Sequence, residues 1–283
     1  MTDSWMEWTT GGPVAVDEDL VAGQGGDAAT ADWGPAAPFV ADGSARDVGE
    51  DGPEAAPLVV VAGHRGGAGA TTTAIGLALA LDEHGPVVLD ETGSDGDLLE
   101  RGALTGAHAA QWWSGGEQWV RTGRTLWRAP APQVPYPPLP MILAQLGRPV
   151  VVDTGAGLAG AGLHGLAAPA GTGAPLPQVV LAIAPRAGEV NRLPGRLDVL
   201  TDLLGGPGGL TRAHLVVCDT RAVSAPIVEH LLEHLSGRVG SVTAIPHDPH
   251  IAECGPIDPA LLDAATARAF ADLAARVCGA AGS

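Results

Sequence analysis

Short apolar runs rich in Val, Leu and Ile alternate with longer stretches of helical period along most of the chain. The strand candidates are Leu58–Ala62, Pro86–Leu89, Pro149–Val152, Gln178–Ile183, His214–Val217 and Ser241–Ile245. Most are continuous runs rather than apolar–polar alternations, the pattern of parallel strands covered on both faces. Between them lie helix candidates at Thr72–Glu83, Pro140–Leu146, Val190–Leu204, Ala225–Leu235 and Pro259–Val277. Strand and helix alternating in this way predict βαβ units and an α/β fold, a doubly wound, mostly parallel sheet flanked by helices. The stretch from Leu104 to Pro138 is poorer in pattern. Four tryptophans crowd into it, Trp112, Trp113, Trp119 and Trp127, followed by a Pro-rich segment.

Composition divides the chain in two. Residues 1–57 hold 12 acidic residues, a single basic one (Arg46), and much Gly, Ala and Pro, with no periodic apolar run. Such a segment cannot bury enough surface to offset its ordering entropy, so residues 1–57 are expected to form a disordered acidic tail. Trp5, Trp8 and Trp33 leave open a short docking motif within it. Residues 58–283 are long enough for one well-buried domain, and their 14 Arg against 20 acids leave a charge of −6. With −17 overall, sequence-independent nucleic-acid binding is not expected, because it needs a basic face to displace counterions. Cys218, Cys254 and Cys278 lack metal-type spacing and suit a reducing, cytoplasmic setting. No apolar stretch is long enough to predict a transmembrane span, and the first ten residues lack the character of a signal peptide.

The candidate chemistry sits at the end of the first strand. Gly63 opens a Gly-rich turn, Arg65-Gly66-Gly67-Ala68-Gly69-Ala70-Thr71-Thr72, that runs straight into a helix. Backbone N–H groups converge in such a turn, and the helix N-terminus adds positive potential, so the segment can cradle the phosphates of a nucleotide. The general phosphate-loop pattern is G-x-x-x-x-G-K-[ST], with Lys on the β- and γ-phosphates and the hydroxyl on Mg²⁺. Here Ala70 stands where the lysine belongs and Thr71 keeps the hydroxyl. The chain contains no lysine at all.

Three further segments follow in order: Val87-Val88-Leu89-Asp90-Glu91-Thr92 with Gly96-Asp97-Leu98, then Val150-Val151-Val152-Asp153-Thr154-Gly155-Ala156-Gly157, then Ala244-Ile245-Pro246-His247-Asp248 leading to Gly255-Pro256-Ile257-Asp258-Pro259. Together with the loop they resemble the deviant Walker A, switch, Walker B and late I-P-x-D segments of the MinD/ParA family. Within that family the loop is most similar to those of actinobacterial septum-site-determining, CpaE-like (TadZ-like) proteins. The resemblance implies a P-loop NTPase-like fold and a site for ATP or ADP with Mg²⁺, formed by Arg65, Gly66, Gly67, Ala68, Gly69, Ala70, Thr71, Thr72, Asp90 and Asp153. Thr71 and Asp153 would organise the metal. It also implies a nucleotide-dependent homodimer and a protein partner in a division or secretion assembly.

The departures from the family pattern bear on activity. Arg65 replaces a lysine that, in the family, reaches across a dimer to the partner's phosphates, and it keeps the charge and gains a fork geometry. Ala70 removes the second lysine. Thr92 aligns with the carboxylate that positions the attacking water, and a hydroxyl cannot serve as that base near pH 7. Losing a phosphate-bound cation costs on the order of 10² or more in rate. The expectation is therefore a pseudo-ATPase with a regulatory or scaffolding role. Two other readings stand beside it: an active ATPase using Arg65 or a partner's Arg, and an interaction module that binds no nucleotide. The chain's end, from Ala275 to Ser283, lacks the basic amphipathic character of the MinD membrane anchor, so direct membrane anchoring is not expected.

The chain carries three weaker signals. His230-Leu231-Leu232-Glu233-His234 matches H-x-x-E-H, but chance on a solvated helix is the favoured reading. His247, His250 and Cys254 have ligating chemistry but fall inside a family loop. Asp219-Thr220-Arg221 lies where the family reads adenine, or is an ordinary strand-end turn.

Overall fold

The computed structural model describes residues 56–92, 96–103, 110–114, 117–129, 147–156, 176–221 and 224–279. The expected tail, but for its last two residues, and the expected helix at Pro140–Leu146 lie outside them.

The apolar runs form the strands they predict. β1 (Leu58–Gly63) is buried over its full length and lies between β6 (Val150–Ala156) and β7 (Gln178–Ile183), both parallel to it. β2 (Val87–Asp90) pairs with β6, β8 (Ala213–Thr220) with β7, and β9 (Ser241–Pro246) with β8, all in parallel. Backbone pairing reaches back to Pro57, whose carbonyl accepts from Val150 N–H at 3.0 Å.

The poorly patterned Trp-rich region is where the structure differs from the sequence reading. It forms an antiparallel meander, β3 (Ala110–Ser114), β4 (Glu117–Thr122) and β5 (Thr125–Ala129), and β5 joins the sheet parallel to β2. Among the described residues the sheet thus has nine strands in the order β3-β4-β5-β2-β6-β1-β7-β8-β9. Thr122 pairs with Thr125 across a two-residue loop whose Gly123 has φ +55°, the left-handed geometry such a hairpin needs. Trp127 is fully buried and donates its indole N–H to Thr122 Oγ1 at 2.7 Å. Arg128 is also buried, its guanidinium 5.6 Å from the Trp119 ring centroid. A buried arginine in the middle of a strand hides the alternation. The backbones of Trp112 and Trp113 run in β3, and their side chains lie outside what is described.

Among the described residues four longer helices accompany the sheet: α1 (Ala70–Ala80), α2 (Leu193–Leu203), α3 (Ala225–Leu235) and α4 (Ala264–Gly279). α1 and α4 share one core with Val59 and Val61 of β1, built from Ile75, Leu77 and Ala78 against Phe270, Leu273 and Val277. Gly76 permits this approach, because a Cβ there would stand 2.3 Å from the Phe270 ring. The helix expected from Val190 to Leu204 is split into a short turn, Ala187–Val190, and α2, whose first turn contains Pro194. The last helix begins at Ala264 rather than Pro259. Asp248 explains the delay, since its carboxylate accepts from Asp263 N–H at 2.9 Å and holds the preceding chain in a turn. Among the described residues, no helix is long and apolar enough to cross a membrane.

Candidate functional site

The Gly-rich turn leaves β1 at Gly63 and is pinned by the His64 N–H on Ala182 O at 2.8 Å. Gly67 and Gly69 have φ of +73° and +95°. A side chain at Gly69 would also collide with Cys218, whose Sγ would lie 2.6 Å from the added Cβ. The turn therefore depends on glycine twice over at this position, for conformation and for space. α1 starts immediately after it without a side-chain cap and without an acidic residue in its first turn. Its leading N–H groups are thus left to face an anion from outside the helix. Thr73 secures the turn from within, its N–H and hydroxyl both on Gly69 O, at 2.9 and 2.7 Å.

Around this turn opens a cleft of about 1000 Å³ at the C-terminal ends of the parallel strands, where ligands of open α/β sheets bind. Every loop residue from Arg65 to Thr72 lines it, as do Thr92, Asp97, Thr154 and Gly155. Among the expected site residues, the structure brings the loop, Asp90 and Asp153 together: Asp90 and Asp153 are register partners on β2 and β6. Ala70 is buried and presents only a methyl group where the family pattern has a cation.

The two carboxylates differ in how they are held. Asp90 is almost fully buried, and burial raises its pKa while Thr92 opposes the rise. Thr92 gives Asp90 Oδ1 both its N–H at 2.9 Å and its hydroxyl at 2.5 Å. The Thr92 hydroxyl is thus spent on a neighbour. Asp153 is fully buried, with Oδ1 accepting from Gly155 N–H at 2.9 Å and Oδ2 left without a hydrogen-bond partner. Burial pushes its carboxyl up to about 6, against the pull of the Gly155 N–H and the Thr71 hydroxyl. A buried carboxylate beside the Thr71 hydroxyl, with one oxygen that takes no backbone donor, has the chemistry of a hard-cation ligand.

Arg65 does not point freely into the cleft. Its Nε pairs with Oε1 of Glu189, a side chain only 3% exposed. Glu189 Oε2 accepts from Ala184 N–H at 3.2 Å, so the acid is anchored at the end of β7. Sequence reasoning missed this partner, and nothing in the local pattern announces it.

At the far wall, β8 carries a bulge between Val217 and Thr220, and Asp219 has φ +56°. Asp219 Oδ1 lies 2.6 Å from His247 Nδ1, and the Arg221 guanidinium approaches the same ring at 3.1 Å. Asp219, Arg221 and His247 line the cleft together. His250 is engaged elsewhere, accepting from Asp258 N–H at 2.8 Å. His230 and His234 share a face of α3 with ring centroids 4.1 Å apart, as the H-x-x-E-H spacing requires. Among the described residues, no group of three or more His, Cys, Asp or Glu is arranged to hold a metal ion.

No protein-family model and no curated protein sequence matches the chain. Solved structures do. A Cyanothece McdA variant in complex with ATP superposes with a TM-score of 0.54 at 11% identity, covering 79% of this chain and 97% of that one. A chain of the MinC:MinD cell division protein complex of Aquifex aeolicus gives 0.51 at 17% identity, with 79% and 96% covered. The Aquifex aeolicus MinD cell division protein gives 0.50 at 14%, with 79% and 98% covered. At these identities the likeness is one of architecture, and with the strand order and the loop after β1 it establishes a mostly parallel α/β sheet with the P-loop fold of the MinD/ParA type.

Proposed function

We propose that this chain is a P-loop protein with a degenerate nucleotide site, holding ATP or ADP with Mg²⁺ weakly and hydrolysing it at or near background. The observation that carries the reading is Ala70: an intact phosphate turn leads into an uncapped helix, yet the cation position holds a buried methyl. The backbone N–H groups from Gly66 to Thr71 would take the phosphates. Thr71 and Asp153 would hold the metal, whose part is to neutralise phosphate charge. The turnover machinery is what the chain lacks, since Thr92 is bonded to Asp90 and carries no carboxylate. The reading in which Arg65 takes over the lysine's role within one chain is disfavoured by its pairing with buried Glu189.

A site that binds without efficient turnover suits a protein whose output is an interaction. MinD is found with MinC in the Aquifex aeolicus complex, and a comparable protein partner is proposed here, in division-site placement, partitioning or secretion and pilus assembly. A nucleotide-dependent homodimer of cytoplasmic chains, of the septum-site-determining, CpaE-like kind, is part of the same proposal. Nucleic acid is not among the proposed partners, because the domain from residue 58 onward carries −6.

Calorimetric titration with Mg·ATP and Mg·ADP, paired with steady-state phosphate release, tests the reading. Saturable binding in the micromolar to millimolar range with release at background is expected. Turnover at the rates of an active P-loop ATPase would refute it, and so would the absence of saturable binding.

A further inference from the structure

Four arginines line the cleft among the described residues, Arg65, Arg101, Arg186 and Arg221. Arg65 is committed to Glu189 and Arg221 to Asp219 and His247, while Arg186 is exposed to solvent. Arg101 is different. Its side chain is 14% exposed, and its Nε is buried without a hydrogen-bond partner. Among the described residues its ion pair is with half-exposed Asp97, loose at 3.6 Å. A guanidinium held out of water with an unused donor is costly unless something else completes it.

The backbone that carries Arg101 is firmly placed. Residues Leu99–Ala103 form a π-type turn, a rare geometry that is frequent at functional sites. Arg101 N–H bonds Asp97 O at 2.9 Å, and Arg101 O accepts from Ile257 N–H at 2.7 Å. Upstream, a Cβ on Gly96 would lie 2.2 Å from Asp90 Oδ2. Downstream, a Cβ on Gly102 would lie 3.0 Å from Ile75 Cγ1, on α1. Ile75 and Thr71 share a helix face about one turn apart, about 6 Å along the axis. Asp97 in turn is close enough to Asp90 and Asp153 to raise both carboxyls. The segment 96–102 thus runs from the two site carboxylates to the flank of α1, with Arg101 inside the cleft.

We infer that Arg101 supplies the phosphate-binding cation missing at Ala70, reaching the β- or γ-phosphate oxygens of a bound nucleotide from the turn after β2 instead of from the loop after β1. In the absence of an anion, Asp97 holds its charge in place, and phosphate displaces Asp97. The inference rests on the nucleotide-binding reading above and identifies the chain's own cation on which that weak binding depends. An arginine is well suited to the exchange, because its planar fork can take two oxygens at once.

The test is Mg·ATP affinity, by calorimetry, of the wild-type chain, Arg101→Gln and Asp97→Asn, with thermal melts of each without nucleotide. Arg101→Gln is expected to weaken binding roughly tenfold to a hundredfold. Asp97→Asn is expected to tighten it at least about threefold by removing the competing carboxylate. If Arg101→Gln binds within twofold of wild type, the inference is overturned while the nucleotide-binding reading stands. If wild type shows no saturable binding, both fall. Should Arg101→Gln fail to fold, Asp97→Asn decides alone: unchanged or weaker binding overturns the inference, because a purely structural pair would give no gain in affinity.

Discussion

Replacing Asp153 by asparagine should make the nucleotide-free protein more stable at neutral pH. The carboxyl is completely buried, and burial raises it from 3.8 to about 6. At about 1.36 kcal/mol per pH unit, that gap makes the ionised form cost about 3 kcal/mol once the pH is well above 6. The sign follows from proton uptake. The folded state holds the proton between pH 4 and 6 while the unfolded chain has lost it, so the Asp153 contribution is greatest below 3.8 and is lost as pH rises through 6. Asp153→Asn removes the charge but leaves an amide without a full set of partners, costing about 1–2 kcal/mol. The net expectation is a gain of about 1–2 kcal/mol at pH 7.5, falling by about 2 kcal/mol on going to pH 4.5. Urea unfolding at the two pH values, analysed by linear extrapolation, measures both quantities. The same variant should lose whatever stabilisation Mg·ATP gives the wild type. A destabilisation of equal size at both pH values would refute the reasoning, because it would show that Asp153 is an ordinary satisfied side chain.

His214, buried between Ser241 Oγ at 2.8 Å and Gln178 Oε1 at 3.1 Å, is lowered by burial to about 4. Its contribution of about 3 kcal/mol should be lost as pH falls from 6.5 through 4, and His214→Gln should flatten that acid limb in urea melts run across the range. Gly76→Ala should cost about 1–3 kcal/mol by driving a methyl into the Phe270 ring, measured as a lower urea midpoint; an unchanged midpoint would mean that α1 and α4 are free to separate. Ala70→Lys should tighten Mg·ATP binding by about tenfold or more without turnover. Turnover should appear only when Thr92→Asp is added, and phosphate release from Ala70→Lys alone would contradict the separation of the two roles.

Much of this fold was legible because its central strands are buried on both sides. The Val and Leu runs of β1 and β7 leave no other use for such segments, and β7 begins and ends where the pattern predicts. β3 to β5 were illegible for the opposite reason. Arg128 is a charged residue on a buried face, and Gln111, Gln118 and Arg121 interrupt the apolar count. Within the candidate site, the placement of the loop residues, Asp90 and Asp153 at the strand ends was legible because glycines and strand-end acids occupy fixed places relative to the sheet. Glu189 and Arg101 were not. Each gains its meaning from a contact across the cleft, Glu189 with Arg65 over more than a hundred residues of chain, Arg101 with the space beside α1. No local spacing encodes either relation.

The pairing of Arg65 with Glu189 has a consequence for selectivity among anions. A carboxylate tethered in the same molecule competes with any soluble anion at a fixed effective concentration, in the millimolar range or above. Free phosphate or a stray carboxylate in a cell is no richer than that and gains little by displacing it. Displacement also strands Glu189, a buried acid, without its counter-charge, which penalises any visitor that brings only one contact. A ligand that overcomes both must bring binding energy from elsewhere, from the turn amides or the far wall of the cleft. The loop is thereby insulated against background anions, and opening the pair takes a ligand that engages several walls at once.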